Sequence, residues 1–98
     1  MDNYLIVIGK TRTGYSAHCP DVPGCAAVGR TIHRVLANMK KALELHFEGM
    51  AEDGDAIPKP GGAESYRELM NDLDVDQYVL AHVRIARSQF AAAAGGSR

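Results

Sequence analysis

The stretch YSAHCPDVPGCAAVGRT, residues 15–31, predicts two short strands joined by a tight turn. Its first part, residues 15–19, alternates between apolar and polar side chains, as a half-buried strand does. Its second part, residues 25–29, is short and mostly apolar and ends at a glycine. Between them, prolines cannot donate ladder hydrogen bonds, and glycine tolerates a positive φ angle. The residues of this structural turn are Pro20, Asp21, Pro23 and Gly24.

Two further runs outside this stretch have strand character. YLIVI, residues 4–8, is rich in β-branched and aromatic residues and predicts a strand buried on both faces or nearly so. QYVLAHVRIA, residues 77–86, alternates, so that Val79, Val83 and Ile85 share one face. Because these three residues form the more apolar set, we expect their face to be the one that packs on the rest of the domain.

A long helix is predicted between the third and fourth strands. Thr31 is a good N-cap, and apolar residues then recur at three- and four-residue steps as far as Met50. Gly54 is a suitable helix end, and Pro58 and Pro60 prevent the helix from continuing. One apolar stripe on one long helix is enough to cover one sheet.

The element order β-β-β-α-β predicts a two-layer α+β domain with a four-stranded sheet and one long helix on one face. Short connections make the first three strands an antiparallel meander. A right-handed crossover then places the last strand beside the first and parallel to it, in sheet order 3-2-1-4. We expect the domain to span residues 1–90. The run FAAAAGGSR, which starts at Phe90, is typical of a frayed end, and residues 91–98 are predicted to be a flexible tail.

Length and charge limit the class of protein. The chain has 98 residues, enough for one domain, and a formal net charge of −1, which does not indicate a strongly basic nucleic-acid surface. No apolar run approaches the roughly 20 residues of a membrane helix. The start MDNYLIVIGK has no basic segment and too short an apolar run for a signal peptide. A cytoplasmic address, away from membranes, is therefore predicted.

The cysteines and the histidine of the turn region are predicted to have structural roles and not to form a metal site. Cys19 and Cys25 are spaced too far apart for a common zinc pattern and are predicted to be small buried side chains. His18 points to the opposite strand face from Cys19, so a metal set with His33 is disfavoured. Asp21 has two interpretations, a local bond to turn amides or a contact with a ligand or partner. No metal or other cofactor is predicted.

Catalysis and RNA binding are the remaining alternatives. Nuclease chemistry would need clustered carboxylates to hold two Mg²⁺ ions, and the predicted strand interiors carry none. Glu44 and Glu48 lie one turn apart on a solvated helix face, so the chain is not expected to be an enzyme. RNA binding stays open as a weaker rival because basic residues collect near the helix start, although few aromatic residues accompany them. These basic residues are Arg12, Arg30, Arg34, Lys40 and Lys41.

A series of motifs through the middle of the chain resembles the HicB antitoxin family. The motifs are a Tyr-x-Ala strand, Pro-Asp-x-Pro-Gly-Cys, a strand ending in Gly-x-Thr, a helix with Ala-Asn-x-x-x-Ala-Leu, and Asp-Gly-x-x-Ile-Pro-x-Pro. They lie at residues 15–17, 20–25, 29–31, 37–43 and 53–60. The resemblance covers about half of the chain densely, and the flanking strands fit the order of elements in that family.

The resemblance implies a partial RNase H-like domain that acts as the antitoxin of a type II toxin–antitoxin pair. Its partner would be a HicA-type toxin, a small RNA-cleaving protein. Many members of the family carry a DNA-binding module after the last strand, whereas only a short Ala- and Gly-rich run follows Ala86 here. DNA binding by this chain is therefore not expected. The alternative is a stand-alone oligomeric domain of the same family with a regulatory or ligand-sensing role.

The sheet face away from the helix is predicted to be an interface. One helix covers one face, and the other face combines apolar side chains of the first strand with polar residues of its neighbours. We therefore expect a homodimer or tetramer, built through this open face or through an edge strand. The predicted partner or oligomer interface consists of Tyr78, Leu80, His82 and His18.

Overall fold

The computed structural model describes residues 2–61, 67, 68, 71 and 77–90. These residues form an α+β domain of two layers, a four-stranded sheet and one long helix. The elements in chain order are β1 (Asp2–Lys10), β2 (Tyr15–His18), β3 (Ala26–Gly29), α1 (Ile32–Asp53) and β4 (Tyr78–Ile85). The predicted element order is confirmed, and β1 is longer at both ends than its apolar run. The predicted tail, residues 91–98, and most of the 62–76 segment lie outside the described residues.

The sheet order β3-β2-β1-β4 agrees with the prediction, but the direction of β4 does not. β4 pairs with β1 in antiparallel register, with Gly9 opposite Tyr78 and Asp2 opposite Ile85. The prediction of a parallel last strand is therefore wrong. It rested on the right-handed crossover rule for a strand–helix–strand unit, in which β4 would start where α1 ends, at the Asp2 end of β1. β4 starts instead at the Gly9 end, because residues 54–77 are long enough to connect the two ends of the sheet.

Both ends of α1 have the predicted capping residues. The side-chain oxygen of Thr31 accepts a hydrogen bond of 3.0 Å from the backbone N–H of Arg34. At the other end Gly54 has a φ angle of 79°, a left-handed conformation that glycine adopts without strain. The helix buries one stripe against the sheet, formed by Val35, Met39, Leu43, Phe47 and Ala51.

The core lies between α1 and the face of the sheet that carries Tyr4, Ile6 and Ile8. An aromatic cluster closes one end of the core. The ring centroid of Phe47 lies 5.3 Å from that of Tyr4 and 5.7 Å from that of Phe90. Phe90, the last residue of the predicted domain span 1–90, belongs to a helical turn at residues 87–90 and is buried, so the run that starts there is not frayed at its first residue. The domain therefore continues to at least this residue.

The loop after α1 is held against the core by side chains from the sheet. The hydroxyl of Tyr4 donates a 2.6 Å hydrogen bond to the carbonyl oxygen of Pro58, and Ile57 packs against the core beside it. Burial, reinforced by the nearby Asp2 carboxylate, raises the pKa of Tyr4 to about 12. The phenol is thus kept neutral, in the state that donates this bond. No helix in the described part of the chain is both long and apolar enough to cross a membrane.

Candidate binding face

The open face of the sheet is the one that α1 does not cover. On β4 the helix side carries Val83 and Ile85, both buried in the core, as the alternation predicts. The other side of β4 carries polar or partly exposed residues. The cross-strand registers place twelve described residues on this open face. They are Asn3, Leu5, Val7, Gly9, Ser16, His18, Ala26, Val28, Tyr78, Leu80, His82 and Arg84.

Two β1 residues form the apolar centre of the open face. Val7 lies directly between His18 on β2 and Leu80 on β4, and Leu5 lies opposite His82. Although α1 packs on the other face of the sheet, Val7 is only 1% exposed and Leu5 only 7% exposed. Three of the four predicted interface residues therefore lie next to the buried pair Val7 and Leu5. They are His18, Leu80 and His82. The surrounding histidines are exposed, so an apolar centre is bordered by polar groups.

Tyr78, the fourth predicted interface residue, packs over a glycine of β1. Gly9 pairs with Tyr78, and two carbons of the tyrosine ring lie 3.1 and 3.4 Å from the position that a Cβ atom would take at Gly9. A side chain at Gly9 would therefore displace the ring. Sequence reasoning did not identify Gly9, and the only signal was a glycine next to the apolar run of a strand.

The turn between β2 and β3 has the predicted backbone features. The backbone N–H of Val22 bonds the carbonyl of Cys19, and Gly24 has a φ angle of 86°. Asp21 has a different partner from the local amides that the sequence suggested. Its Oδ2 accepts a 2.8 Å hydrogen bond from the backbone N–H of Gly61, 40 residues along the chain. The turn therefore anchors the loop after α1 to the sheet.

Cys19 and Cys25 are free, buried thiols on the helix side of the turn. They lie opposite each other, and the backbone N–H of Cys19 bonds the carbonyl of Cys25 at 3.4 Å. Burial raises the pKa of Cys19 to about 11 and also raises the pKa of Cys25, so both are neutral thiols near pH 7. His18 and His33 are exposed. Within the described ranges, no group of three or more His, Cys, Asp or Glu residues could hold a metal ion.

A second surface with an exposed apolar residue lies on the outer side of α1. Leu45 is 72% exposed, and Glu48 and Glu52 lie one and two turns further along the helix on the solvent side. Leu45 lies outside the apolar stripe of α1, and a large apolar residue off the stripe is the sequence signal that could have identified it as exposed. The part of this outer helix face after Leu45 is acidic and the part before it carries Lys41, whereas none of the described residues of the open face is acidic.

Comparison with protein families gives one match that spans almost the whole chain. The family model of the HicB-like antitoxins of bacterial toxin–antitoxin systems matches residues 4–95. An uncharacterised 14.9 kDa protein of Haemophilus phage HP1 is 43% identical over 63 residues, which cover 64% of this chain and 47% of the phage protein. A UPF0150 protein of Synechocystis is 33% identical over 58 residues, covering 58% of this chain and 73% of that protein. The chain thus spans about half the length of the phage relative.

Solved structures with the same fold include HicB antitoxins. The antitoxin HicB3 superposes with a TM-score of 0.74 at 27% identity, over 88% of this chain and 63% of that one. HicB of Burkholderia pseudomallei gives a TM-score of 0.73 at 26% identity, over 87% and 64% of the two chains. A chain of the solved HicA3 and HicB3 toxin–antitoxin complex superposes with a TM-score of 0.70 at 28% identity, over 85% of this chain and 96% of the matched one.

Proposed function

This chain belongs to the HicB-like antitoxin family, and on that basis we propose that it is a cytoplasmic antitoxin that binds and neutralises a HicA-type RNA-cleaving toxin. The observation that carries the proposal is the family match over residues 4–95. The likeness to a chain of the HicA3 and HicB3 complex supports it, because that matched chain is covered almost completely. As an antitoxin the chain would suppress RNA cleavage and would not perform it.

We propose the open face as the contact surface for the toxin. Its centre is apolar and already buried, with Val7 beside Leu80 and Leu5 beside His82 on the neighbouring strand. Exposed polar groups border that centre, which is the usual anatomy of a protein interface. The proposed contact residues remain Tyr78, Leu80, His82 and His18. The proposed assembly is a homodimer or tetramer.

The decisive experiment is binding and inhibition with the product of a neighbouring small basic reading frame. The two proteins should co-purify, and the complex should show no RNA cleavage where the free toxin cleaves. Absence of a complex at about 10 µM of each protein, a concentration at which even a micromolar Kd would be detected, would contradict the proposal. The purified chain alone, tested with Mg²⁺, should leave the same RNA intact.

Two matched leucine variants locate the contact. Leu80→Arg places a charge at the centre of the open face. It should weaken toxin binding by at least about 30-fold, because the introduced guanidinium group would lose its hydration when the toxin binds. Leu45→Arg places the same charge on the outer face of α1, where Leu45 is already exposed, and should leave binding within about 3-fold. The reverse result would move the contact to the outer face of α1, where Glu48 and Glu52 would attract a basic toxin.

The alternative is a stand-alone oligomeric domain with a regulatory or ligand-sensing role. The open face supports it equally, because an apolar centre with a polar border also suits contact between copies. The identity of the neighbouring gene distinguishes the antitoxin proposal from this alternative. A chain that has no small basic gene beside it, and that binds no HicA-type toxin supplied in trans, would favour this alternative.

A further inference from the structure

The two edges of the sheet differ in how they are protected. β3 has four residues, and Asn38 of α1 reaches over its edge to donate a 2.8 Å hydrogen bond from Nδ2 to the carbonyl of Val28. The chain then enters α1 at once, with the backbone of Val35 only 2.6 Å from where a Cβ atom would lie at Gly29. A further strand has little room to add along β3.

The β4 edge has none of these protections. It has eight residues, and no described strand pairs with its outer side. Exposed edge strands usually carry Lys, Pro, inward-pointing charges or a bulge, which discourage pairing with another chain. The sequence YVLAHVRI contains no Pro, Lys, Asp or Glu, and its one full charge is Arg84. Val79 at its start is 43% exposed. Such an edge favours the addition of another strand.

A groove runs beside this edge on the helix side. It measures about 350 Å³ and lies between α1 and β4. Leu36, Ala37 and Val83 supply its apolar part. Its basic groups come from both elements, His33 and Lys40 of α1 and His82 and Arg84 of β4. An apolar side chain that projected from an added strand toward the helix layer would enter this groove. A basic side chain would meet like charges there.

We propose that β4 pairs with β4 of a second copy in antiparallel orientation, about a two-fold axis that passes through Ala81. Residues directly opposite each other in an antiparallel pair point to the same face of the sheet, so even-numbered residues face even-numbered ones and odd face odd. The two-fold axis must therefore pass between the two copies of one and the same residue. With the axis at Ala81, Val79 of one copy pairs with Val83 of the second copy and projects into its groove. The two sheets join into one of eight strands, with both helices on the same side.

The side chains complement each other in this register. Tyr78 lies opposite Arg84 of the second copy, and Leu80 lies opposite His82. An axis at His82 would give an overlap of similar length, but it would set His82 against itself and Leu80 opposite Arg84. An axis at Leu80 would shorten the overlap within β4. The Ala81 register thus places no two basic groups directly opposite each other.

This arrangement specifies the oligomer proposed above and is independent of toxin binding. The open faces of the two copies become one continuous surface, and their β3 edges lie at its two ends. Sheet extension of this kind leaves the exposed residues of both open faces, such as His18 and His82, accessible to another partner. The edge contact and the toxin contact can therefore be tested separately.

The first test is light scattering at about 100 µM on the full chain and two matched valine variants. The wild type should have about twice the chain mass of 10.6 kDa. Val79→Lys places an ammonium among the basic groups of the groove and should weaken the dimer by about 100-fold or more, giving the monomer mass. Val28→Lys makes the same change at the opposite sheet edge, where Val28 is 69% exposed, and should remain dimeric. Circular dichroism confirms that each variant is folded.

The second test reads the register and does not depend on a disruptive charge. Single variants Leu80→Cys, Ala81→Cys and His82→Cys are oxidised, with the wild type and its two buried thiols as the control. Ala81→Cys should form a covalent dimer fastest, because that residue faces its own copy across the axis. Faster cross-linking at Leu80 or His82 would overturn the register, and no cross-link at any position would overturn the edge pairing. A monomeric wild type would refute any oligomer, whereas a dimeric Val79→Lys variant would refute only the β4 contact.

Discussion

Replacing Tyr4 with phenylalanine tests how the loop after α1 is held against the core. The change removes one hydroxyl group, which donates a 2.6 Å hydrogen bond to the carbonyl of Pro58, and keeps the buried ring and its packing on Phe47. A neutral hydrogen bond contributes about 0.5–1.5 kcal/mol net, and leaving a buried carbonyl without a partner would cost about 1–3 kcal/mol. Pro58 is only half-buried, so water can reach its carbonyl in the variant. The range for a net hydrogen bond therefore applies, and we expect the free energy of unfolding to fall by about 1 kcal/mol.

Urea unfolding at neutral pH measures this loss. The free energy of unfolding should fall by about 1 kcal/mol at an unchanged m-value, and the melting temperature should fall by about 4–8 °C for a domain of this size. Tyr15→Phe is the matched control, because the Tyr15 hydroxyl makes no hydrogen bond to any other described residue. That variant should stay within about 0.5 kcal/mol of the wild type. Equal stability of Tyr4→Phe and the wild type would refute the assigned contribution of the bond.

The pH dependence gives a second, independent check on the same hydroxyl group. The pKa of Tyr4 is raised from 10.0 to about 12 in the folded chain, so the unfolded chain loses this proton first as the pH rises. The contribution of the neutral phenol to stability is therefore complete below pH 10 and is lost as the pH rises toward 12. The stability difference between the wild type and Tyr4→Phe should shrink over that window. A difference that stays constant from neutral pH to pH 12 would contradict the raised pKa.

Three further changes test the core, the helix cap and the thiols. Phe47→Ala should destabilise the chain by about 3–5 kcal/mol in urea unfolding, because Phe47 is fully buried and contacts two other aromatic rings; a loss below about 1 kcal/mol would contradict its central position. Thr31→Ala should cost about 1 kcal/mol by losing the bond to the Arg34 amide, whereas Thr31→Ser should restore most of it. Burial raises the pKa of Cys19 to about 11, so a thiol reagent near neutral pH should modify the chain only after unfolding, and rapid labelling of the native chain would refute this burial.

Local elements of this fold could be predicted from the sequence because their signals lie within a few residues. The boundaries of α1 follow from Thr31 and Gly54, whose backbone roles depend on side-chain chemistry and conformational freedom at single positions. The strand alternation correctly assigned Val83 and Ile85 to the helix side. It also grouped Leu80 and His82 on the other side, where the register places them beside β1.

Features that depend on distant parts of the chain could not be predicted in this way. Asp21 bonds an amide 40 residues away, and Tyr4 bonds a carbonyl 54 residues away. The turn motif around Asp21 suggests a local amide or a ligand or partner, and neither suggestion identifies the loop after α1. The space that Gly9 leaves for the ring of Tyr78 likewise exists only once β1 and β4 are paired. Each of these contacts depends on the relative placement of two elements, about which neither residue carries a local signal.

The sequence by itself determined the order of strands and helix, the residues that cap α1 and the two faces of each strand, because side-chain periodicity and backbone freedom are local properties. Tertiary structure alone decided that β4 runs antiparallel to β1. Both strand directions place Val83 and Ile85 on the same face and satisfy the backbone hydrogen bonds, so the alternation pattern does not distinguish them. The direction follows from the end of the sheet at which the chain arrives after residues 54–77, and that is a property of the assembled domain.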